Sequence, residues 1–541
     1  MPQKRRSLFV APFVILVGSL LGGFYGPKIQ VAAAATSISA TDDLPQDVQS
    51  FTRAYSLVEQ NFADRVDADK AIYKGAIPGM LRTLDPHSNF FDPKEYLALR
   101  DDQRGHYYGV GMTVGPRNGK TMVMAPFPGS PAYKAGIRPG DIILTVNDKP
   151  TDNLGTSEIA DLLKGPRGTQ VKITVSREGS EMPISFLVTR DEIKRNSVQD
   201  AFWVKPGIAY LRILSFNETT SKEMDDNFKR LGENNIKGLV LDLRENPGGL
   251  LDQGVAVADH FLQKGQTIVS HRGRSSAEKP YIARNGNHGH EYPIVVLVNR
   301  YSASAAEIVT GALQDHDRAW VLGENTFGKG LVQTVYPLSE NTGLALTTAH
   351  FYTPSGRLIQ RDYSNKSFYD YYYHKDENAR NPLDVKMTDS GRTVYGGGGI
   401  TPDEKYETPK LDSFETDLAR KNAYFEFTRA YFGSHDTHLP TGWMPDDATL
   451  VEFHDYLVKE GYTFKEGDFL QDRDFIERYL AREMYITAFN IDESDRIFSQ
   501  TDPEVELAVQ AMPKARALLE TAKKVLAKRL ESQEPDALAK R

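Results

Sequence analysis

Two stretches of this sequence carry residues that can do nucleophilic chemistry. In the first, an apolar run from Ile294 to Val298 ends at Asn299-Arg300-Tyr301, and the small residues Ser302-Ala303-Ser304-Ala305-Ala306 lead into a helical pattern. A serine at such a strand-to-helix turn holds its hydroxyl clear of the surface, and the N–H groups at the helix start favour negative charge at the same spot. Serine is a poor nucleophile until a base takes its proton. Both Ser302 and Ser304 fit this position, and Ser302 can instead cap the helix. In the second stretch, the strand-like run Trp320–Gly323 precedes Glu324-Asn325-Thr326-Phe327-Gly328-Lys329-Gly330. Lys329, set between two glycines, can act as a base only when neutral, and burial in a low-dielectric pocket makes that form accessible. A third stretch, Asn246-Pro247-Gly248-Gly249, follows the run Gly238–Leu243. Paired glycines after a core strand can aim backbone N–H groups at a developing oxyanion, or simply form a tight turn.

Competing motifs fall short of their own chemistry. Gly323 to Lys329 approaches a phosphate-binding loop, but residue 330 is Gly where a magnesium-holding hydroxyl belongs. Ser276 to Lys279 has the S-x-x-K spacing of penicillin-recognising enzymes, yet sits in a polar stretch with no companion motif and reads as a solvated loop. The 12 histidines show no metal spacing, and His316 reads as structural. Gly109 and Gly111 lack a third glycine at the dinucleotide spacing, since residue 114 is Val. There are no cysteines, which removes thiolate metal sites and cysteine nucleophiles. No metal and no cofactor is expected. A formal net charge of -8 gives no electrostatic reason to bind nucleic acid.

The elements that must position these residues follow from periodicity. The 541 residues leave room for several domains. Lys4-Arg5-Arg6, an apolar stretch Ser7–Tyr25 and the alanines 32–35 form an export pattern over residues 1–36, either a cleaved signal peptide or a membrane anchor. The protein is therefore expected outside the cytoplasm, in the periplasm, free or tethered to the inner membrane. Residues 44–104 read as helical, with Val48, Phe51, Tyr55, Val58 and Phe62 on one face, closing on Leu84-Asp85-Pro86-His87-Ser88. Residues 105–190 read as a compact, mostly β domain: strands at Thr121–Ala125, Asp141–Val146, Gln170–Ser176 and Ile184–Val188, helices at Pro131–Ala135 and Ser157–Leu163. Residues 200–405 alternate strands and helices, which predicts an α/β layer structure. Its runs Gly238–Leu243 and Ile294–Val298 are apolar enough for strands buried on both faces. The four glycines 396–399 must turn tightly or approach other backbone. Residues 406–541 are charged and helical, with spacing suited to packing on the body or on a second subunit.

Taken together, Asn299 to Glu307 and Gly328-Lys329-Gly330-Leu331-Val332-Gln333 resemble the carboxyl-terminal processing peptidases, or tail-specific proteases. Leu84 to Ser88, Asp242-Leu243-Arg244 with Pro247-Gly248-Gly249, and Gly396 to Asp403 extend the resemblance over about residues 45–405. The resemblance implies a multidomain α/β protein: a helical N-terminal segment, a PDZ domain, a crotonase-like ββα serine protease core and a helical C-terminal extension. It implies a serine–lysine pair 25 positions apart, which selects Ser304 over Ser302 as partner of Lys329, with Gln333 orienting the lysine. It also implies an oxyanion site from the N–H groups of Gly249 and Ala305, with Gly248 a close second. Residues 105–190 resemble a PDZ domain whose carboxylate-binding loop is Tyr108-Gly109-Val110-Gly111-Met112, recognising the C-terminal tails of protein or peptide substrates and gating the site, with Lys164 or Arg167 as a candidate gating contact. A regulatory adaptor and a homo-oligomer are compatible with it. So is a catalytically silent PDZ scaffold that binds protein C-termini.

Overall fold

The apolar runs that predict doubly buried strands form the middle of a six-stranded sheet. The structure, a computed structural model, describes residues 45–364, 366–373 and 381–538. In order, the strands are Val198–Lys205, Ile208–Ile213, Gly238–Asp242, Ile294–Val298, Trp320–Gly323 and Glu404–Lys405. The first two are antiparallel and the remaining neighbours parallel, with Leu241 opposite Val296 and Val295 opposite Trp320. Successive side chains point to opposite faces. Leu239, Leu241, Ile294, Val296 and Val298 meet the helices Thr220–Leu231, Leu251–Phe261 and Ala305–Asp315. Val240, Val295, Leu297 and Leu322 meet Val505, Ala508, Ala511, Met512 and Ala515 of the helices Pro503–Gln510 and Met512–Leu538. The end of the chain thus covers the second face of the central sheet. Each of these large aliphatic side chains contributes roughly 1.5–3 kcal/mol by leaving water, and an aspartate at Val296 would break the layer formed with the first three helices.

A second, antiparallel sheet brings the lysine to the site. Gly343–Tyr352 pairs with Asn89–Phe91, with Thr267–Gly273 and with Leu331–Pro337, and Thr267–Gly273 also pairs with Ser276–Ile282. Ser276–Lys279, expected as a loop, therefore begins a strand. It is an edge strand with mostly exposed side chains, so its polar residues gave no buried period. Residues Gly396–Gly399 fulfil the close-approach expectation: just after them Ile400 N–H donates to Thr326 Oγ1 (2.7 Å), while Thr326 N–H donates to the Ile400 carbonyl (3.1 Å).

Residues 112–189 form an antiparallel sheet in the order Met112–Arg117, Lys120–Pro126, Ile142–Val146, Gln170–Ser176 and Ile184–Thr189, with helices Pro131–Lys134 and Thr156–Leu163. Val110, Ile143, Ile159, Val171, Ile173 and Val175 fill its core. Helices between Ser413 and Ala488 make a separate core around Phe453, Leu457, Ile476, Leu480 and Met484. The chain divides into two units after Ala76. In the N-terminal one, the helix Gln46–Asn61 forms as its period predicts, with Val48, Phe51 and Val58 exposed. The expected export segment, residues 1–36, lies outside the described residues.

Candidate active site

The two serines at the turn have different work. Ser302 is fully buried; its hydroxyl donates to the Leu243 carbonyl (2.8 Å) and accepts the Asn299 N–H (2.9 Å). It ties two strand ends together and has no hydroxyl left for chemistry. Ser304 is the residue before the helix Ala305–Asp315, with φ 55° and ψ −114°. A non-glycine residue held there carries strain of roughly 1–3 kcal/mol, sustained only where neighbours over-determine it.

Those neighbours include the glycine loop. Gly248 lies against the turn: a Cβ built on it would sit 2.7 Å from both the Ala303 carbonyl oxygen and Ser304 Cβ. Gly249 has φ 144° and passes so close to Phe216 that a Cβ would stand 2.1 Å from its carbonyl oxygen. Asn246 organises this loop. Its side chain donates to the Ile213 carbonyl and accepts the Gly248 N–H (both 2.8 Å), and its carbonyl accepts the Ala303 N–H (2.9 Å). The Gly248 N–H is therefore already used. Among the described residues the N–H groups of Gly249 and Ala305 have no acceptor; Ala305 directly follows Ser304, and Gly249 directly follows Gly248, which packs on Ser304. Of the two glycine donors implied by resemblance, geometry favours Gly249.

Glu307 joins this turn to the lysine loop. Its carboxylate is fully buried and accepts the N–H of Ser304 (2.8 Å), Gly328 (2.7 Å) and Lys329 (2.9 Å) and the Thr326 hydroxyl. Burial pushes its pKa up, against these four donors. Gly328, at φ 88°, admits the close approach of Arg361, whose Cβ would lie 2.9 Å from a side chain there.

Lys329 lies two residues before the strand Leu331–Pro337. Its Nζ donates to Gln333 Oε1 (3.0 Å), and Gln333 Nε2 donates to the His87 carbonyl. No hydrogen bond joins Nζ to the Ser304 hydroxyl among the described residues. Burial lowers the lysine pKa, with Glu307 and Asp85 opposing. The burial is aromatic. His87 Nε2 bonds Tyr371 Oη (2.9 Å), its Nδ1 bonds Tyr372 Oη (3.2 Å), and the Arg361 guanidinium lies 4.5 Å from the ring centres of Phe327 and Tyr371. Burial, reinforced by the Lys329 charge, pushes His87 down to about 3, so its ring is neutral. A cavity of about 1140 Å³ opens beside Lys329, lined among others by Leu84, Asp85, His87, Tyr363 and Tyr372. Glu307, His87, Tyr371 and Tyr372 are not among the residues expected from sequence. Glu307 was visible only as part of a motif, and His87 as part of a turn.

The structure thus gathers Ser304, Ala305, Gly249, Lys329 and Gln333 around one turn. Tyr108–Met112 lies in the smaller β domain. Tyr108 and Gly109 pair with Asp191 and Glu192, while Val110 and Gly111 form the loop before the strand Met112–Arg117. The Val110 and Gly111 N–H groups have no acceptor among the described residues, whereas their carbonyls accept Ala132 N–H, Phe127 N–H and Ser130 Oγ. Met112–Arg117 pairs on one side only, leaving an open edge beside the helix Thr156–Leu163. Arg167 pairs with Asp191 (2.7 Å) and the Lys164 ammonium lies over the Tyr107 ring. His316 is structural, bonded to Asp389 and to the Thr267 carbonyl (both 2.7 Å).

Comparison with known proteins finds three matching sequence profiles. The sequence profile of Peptidase family S41 matches residues 207–364, that of a PDZ domain residues 122–177, and that of the activating protease CtpB N-terminal domain residues 26–95. A carboxy-terminal-processing protease of Bartonella bacilliformis is 39% identical over 344 residues, 63% of this chain and 78% of the relative. A carboxyl-terminal-processing protease of Synechocystis is 38% identical over 383 residues, covering 67% and 87%. Carboxy-terminal processing protease CtpB of Bacillus subtilis is 29% identical over 429 residues, covering 76% and 86%.

Proposed function

From the premise that the chain belongs to peptidase family S41 and is a serine-type peptidase with a PDZ domain, we propose that it cleaves exported proteins through a Ser304–Lys329 acyl-enzyme mechanism. The observation that carries this reading is the pair of unused N–H groups, Ala305 in the Ser304 turn and Gly249 in the glycine loop packed on it, while Glu307 ties that turn to the buried Lys329. A neutral amine has two N–H donors and one lone pair. Gln333 Oε1 accepts one N–H and leaves the lone pair for the Ser304 proton. Gln333 can present its oxygen because its own NH₂ is engaged by the His87 carbonyl. Ser304 Oγ then attacks the peptide carbonyl, and the oxyanion is held by Gly249 and Ala305 N–H groups. The lysine ammonium gives its proton to the leaving amine. Water, deprotonated by the same lysine, releases the acyl group.

Substrate tails would enter the PDZ domain as an added strand along Met112–Arg117, their terminal carboxylate received by Val110 and Gly111 N–H groups. The basic-apolar-small pattern of residues 1–36 supports export to the periplasm, with the segment cleaved or kept as an anchor. Mass spectrometry of a peptide library incubated with the wild type and with Ser304→Ala tests the reading. Cleavage by the wild type alone, enriched for particular C-termini, is expected; cleavage retained by Ser304→Ala removes the nucleophile.

A further inference from the structure

The loop that carries Gly249 starts at Arg244, and Arg244 is held by the far end of the chain. Its guanidinium Nη1 donates to Glu504 Oε2 (2.7 Å), and Nη2 lies 2.6 Å from Asp242 Oδ2 and 3.0 Å from Asp502 Oδ2. Its backbone N–H is also fixed by Asp242 Oδ1 (2.9 Å). This is a built site: Asp242 is fully buried, and the Arg244 and Glu504 side chains are 13% and 5% exposed. Asp502 also accepts the Glu504 N–H (2.9 Å), so both acids are set by one helix start, that of Pro503–Gln510.

The constraint on Arg244 runs directly toward the oxyanion donor. The next residue, Glu245, is held at φ 60°, with its N–H on Asn299 Oδ1 (3.0 Å) and its carboxylate on Asn299 Nδ2 (2.7 Å). Asn246 follows, bonded to Gly248 and Ala303 as described above, and Gly249 comes three residues later. A shift of Arg244 would be passed along this short, strained stretch to the Gly249 N–H. We propose that Asp502 and Glu504 are positioning residues for the oxyanion donor Gly249, acting through Arg244. The C-terminal extension is then part of the catalytic apparatus, although it lies outside the stretch matched by the peptidase profile.

Charge is the active property here. Asp242 already supplies a hydrogen-bonded partner for Arg244, so the two remote carboxylates are not needed to neutralise it. They fix the direction of its fork, since charge-assisted bonds to a planar guanidinium are directional. Removing their charge at constant volume should therefore leave the fold in place and loosen the loop.

The proposal rests on the acyl-enzyme reading, so its test separates the two. Full-length wild type, Ser304→Ala and the double variant Asp502→Asn/Glu504→Gln are assayed on a quenched fluorescent peptide that the wild type cleaves. Assays run at about pH 8.5, where Glu504, raised to about 7 by burial, is ionised. In parallel, a peptide aldehyde that forms an oxyanion on Ser304 and the matching peptide alcohol, which forms none, are titrated. The double variant should lose about tenfold or more in kcat with KM within about twofold, because the interaction is made in the transition state. Aldehyde affinity should fall in step while alcohol affinity stays. Wild-type kcat and aldehyde affinity in the double variant would overturn the proposal, as would equal losses for aldehyde and alcohol, which mark a structural role. Should the double variant fail to fold, Glu504→Gln alone decides by the same criteria. An aldehyde that binds Ser304→Ala as tightly as wild type refutes the nucleophile instead, leaving the clamp's own result distinct.

Discussion

The Ser304 side and the Lys329 side of the candidate site are built on different principles. Around Ser304 the backbone does the positioning: a left-handed φ, an unbranched glycine pair against the turn, and two N–H groups left without acceptors. Around Lys329 side chains do it: Gln333 holds Nζ, and His87 packs on Tyr371, Tyr372 and Phe327 beside it. A backbone-built half is rigid and answers to substitution through steric conflict. A side-chain-built half is adjustable, and substitution there tunes a pKa. Glu307 is a side chain that serves both.

Breaking the lysine half outright should have the largest effect. Lys329→Met is expected to lower kcat/KM about 10³-fold or more, since it removes the proposed base while the Glu307 carboxylate stays occupied by its four donors. The same variant should be more stable than wild type. The wild-type pKa is lower when folded than when unfolded, so folding must exclude a proton. The gain from methionine is largest at neutral pH and fades as pH rises from the lowered pKa to the ordinary lysine value, which thermal denaturation across that range would measure. Residual activity within tenfold of wild type would move the base elsewhere.

Glu307→Gln strikes the element shared by both halves. The amide keeps one acceptor oxygen and turns its NH₂ toward backbone N–H groups, so kcat should fall about 10²-fold and stability by about 3 kcal/mol, read together from cleavage rates and urea denaturation. A loss of stability with kcat intact would show that the two halves are independent. Tyr372→Ala sharpens the comparison by wetting the lysine alone. The acid limb of the pH–rate profile should move to higher pH, because a less buried Lys329 holds its proton longer; rates well above that limb should match wild type. An unmoved limb would remove the aromatic cover from the argument. The smallest catalytic effect is expected from Ser302→Ala. It strands the Asn299 N–H and the Leu243 carbonyl, costing about 1–2 kcal/mol of stability, while kcat stays within about twofold.

Much of the central sheet was legible from sequence because its strands are buried on both faces, and uninterrupted apolar runs such as Ile294–Val298 have few other uses. The helix Thr220–Leu231 and the strand Gln170–Ser176 were legible for the complementary reason, a clean period bounded by breakers. The second sheet was not. Leu331–Pro337 is only partly buried along most of its length, so its side chains have no apolar period, and the strand character of Ser276–Ile282 was hidden in the same way. Spacing and resemblance pointed to Ser304, Lys329 and Gln333, and Glu307 and the Lys329–Gln333 bond link the three in the structure. The resemblance ranked Gly249 only narrowly ahead of Gly248, because the choice depends on where the Asn246 amide points. His87 and Tyr372 come from segments distant in the chain, and no local pattern announces their meeting with Lys329.

The cover that the last helices place on the central sheet also sets a timetable. Val240, Val295 and Leu297 are synthesised well before their partners Val505, Ala508 and Met512. Until those arrive, one face of the sheet is bare and Arg244 lacks both remote acids. Such long-range pairing is slow to form. A nascent chain therefore carries Ser304 and Lys329 for an interval in which the sheet beneath them has only one of its two layers.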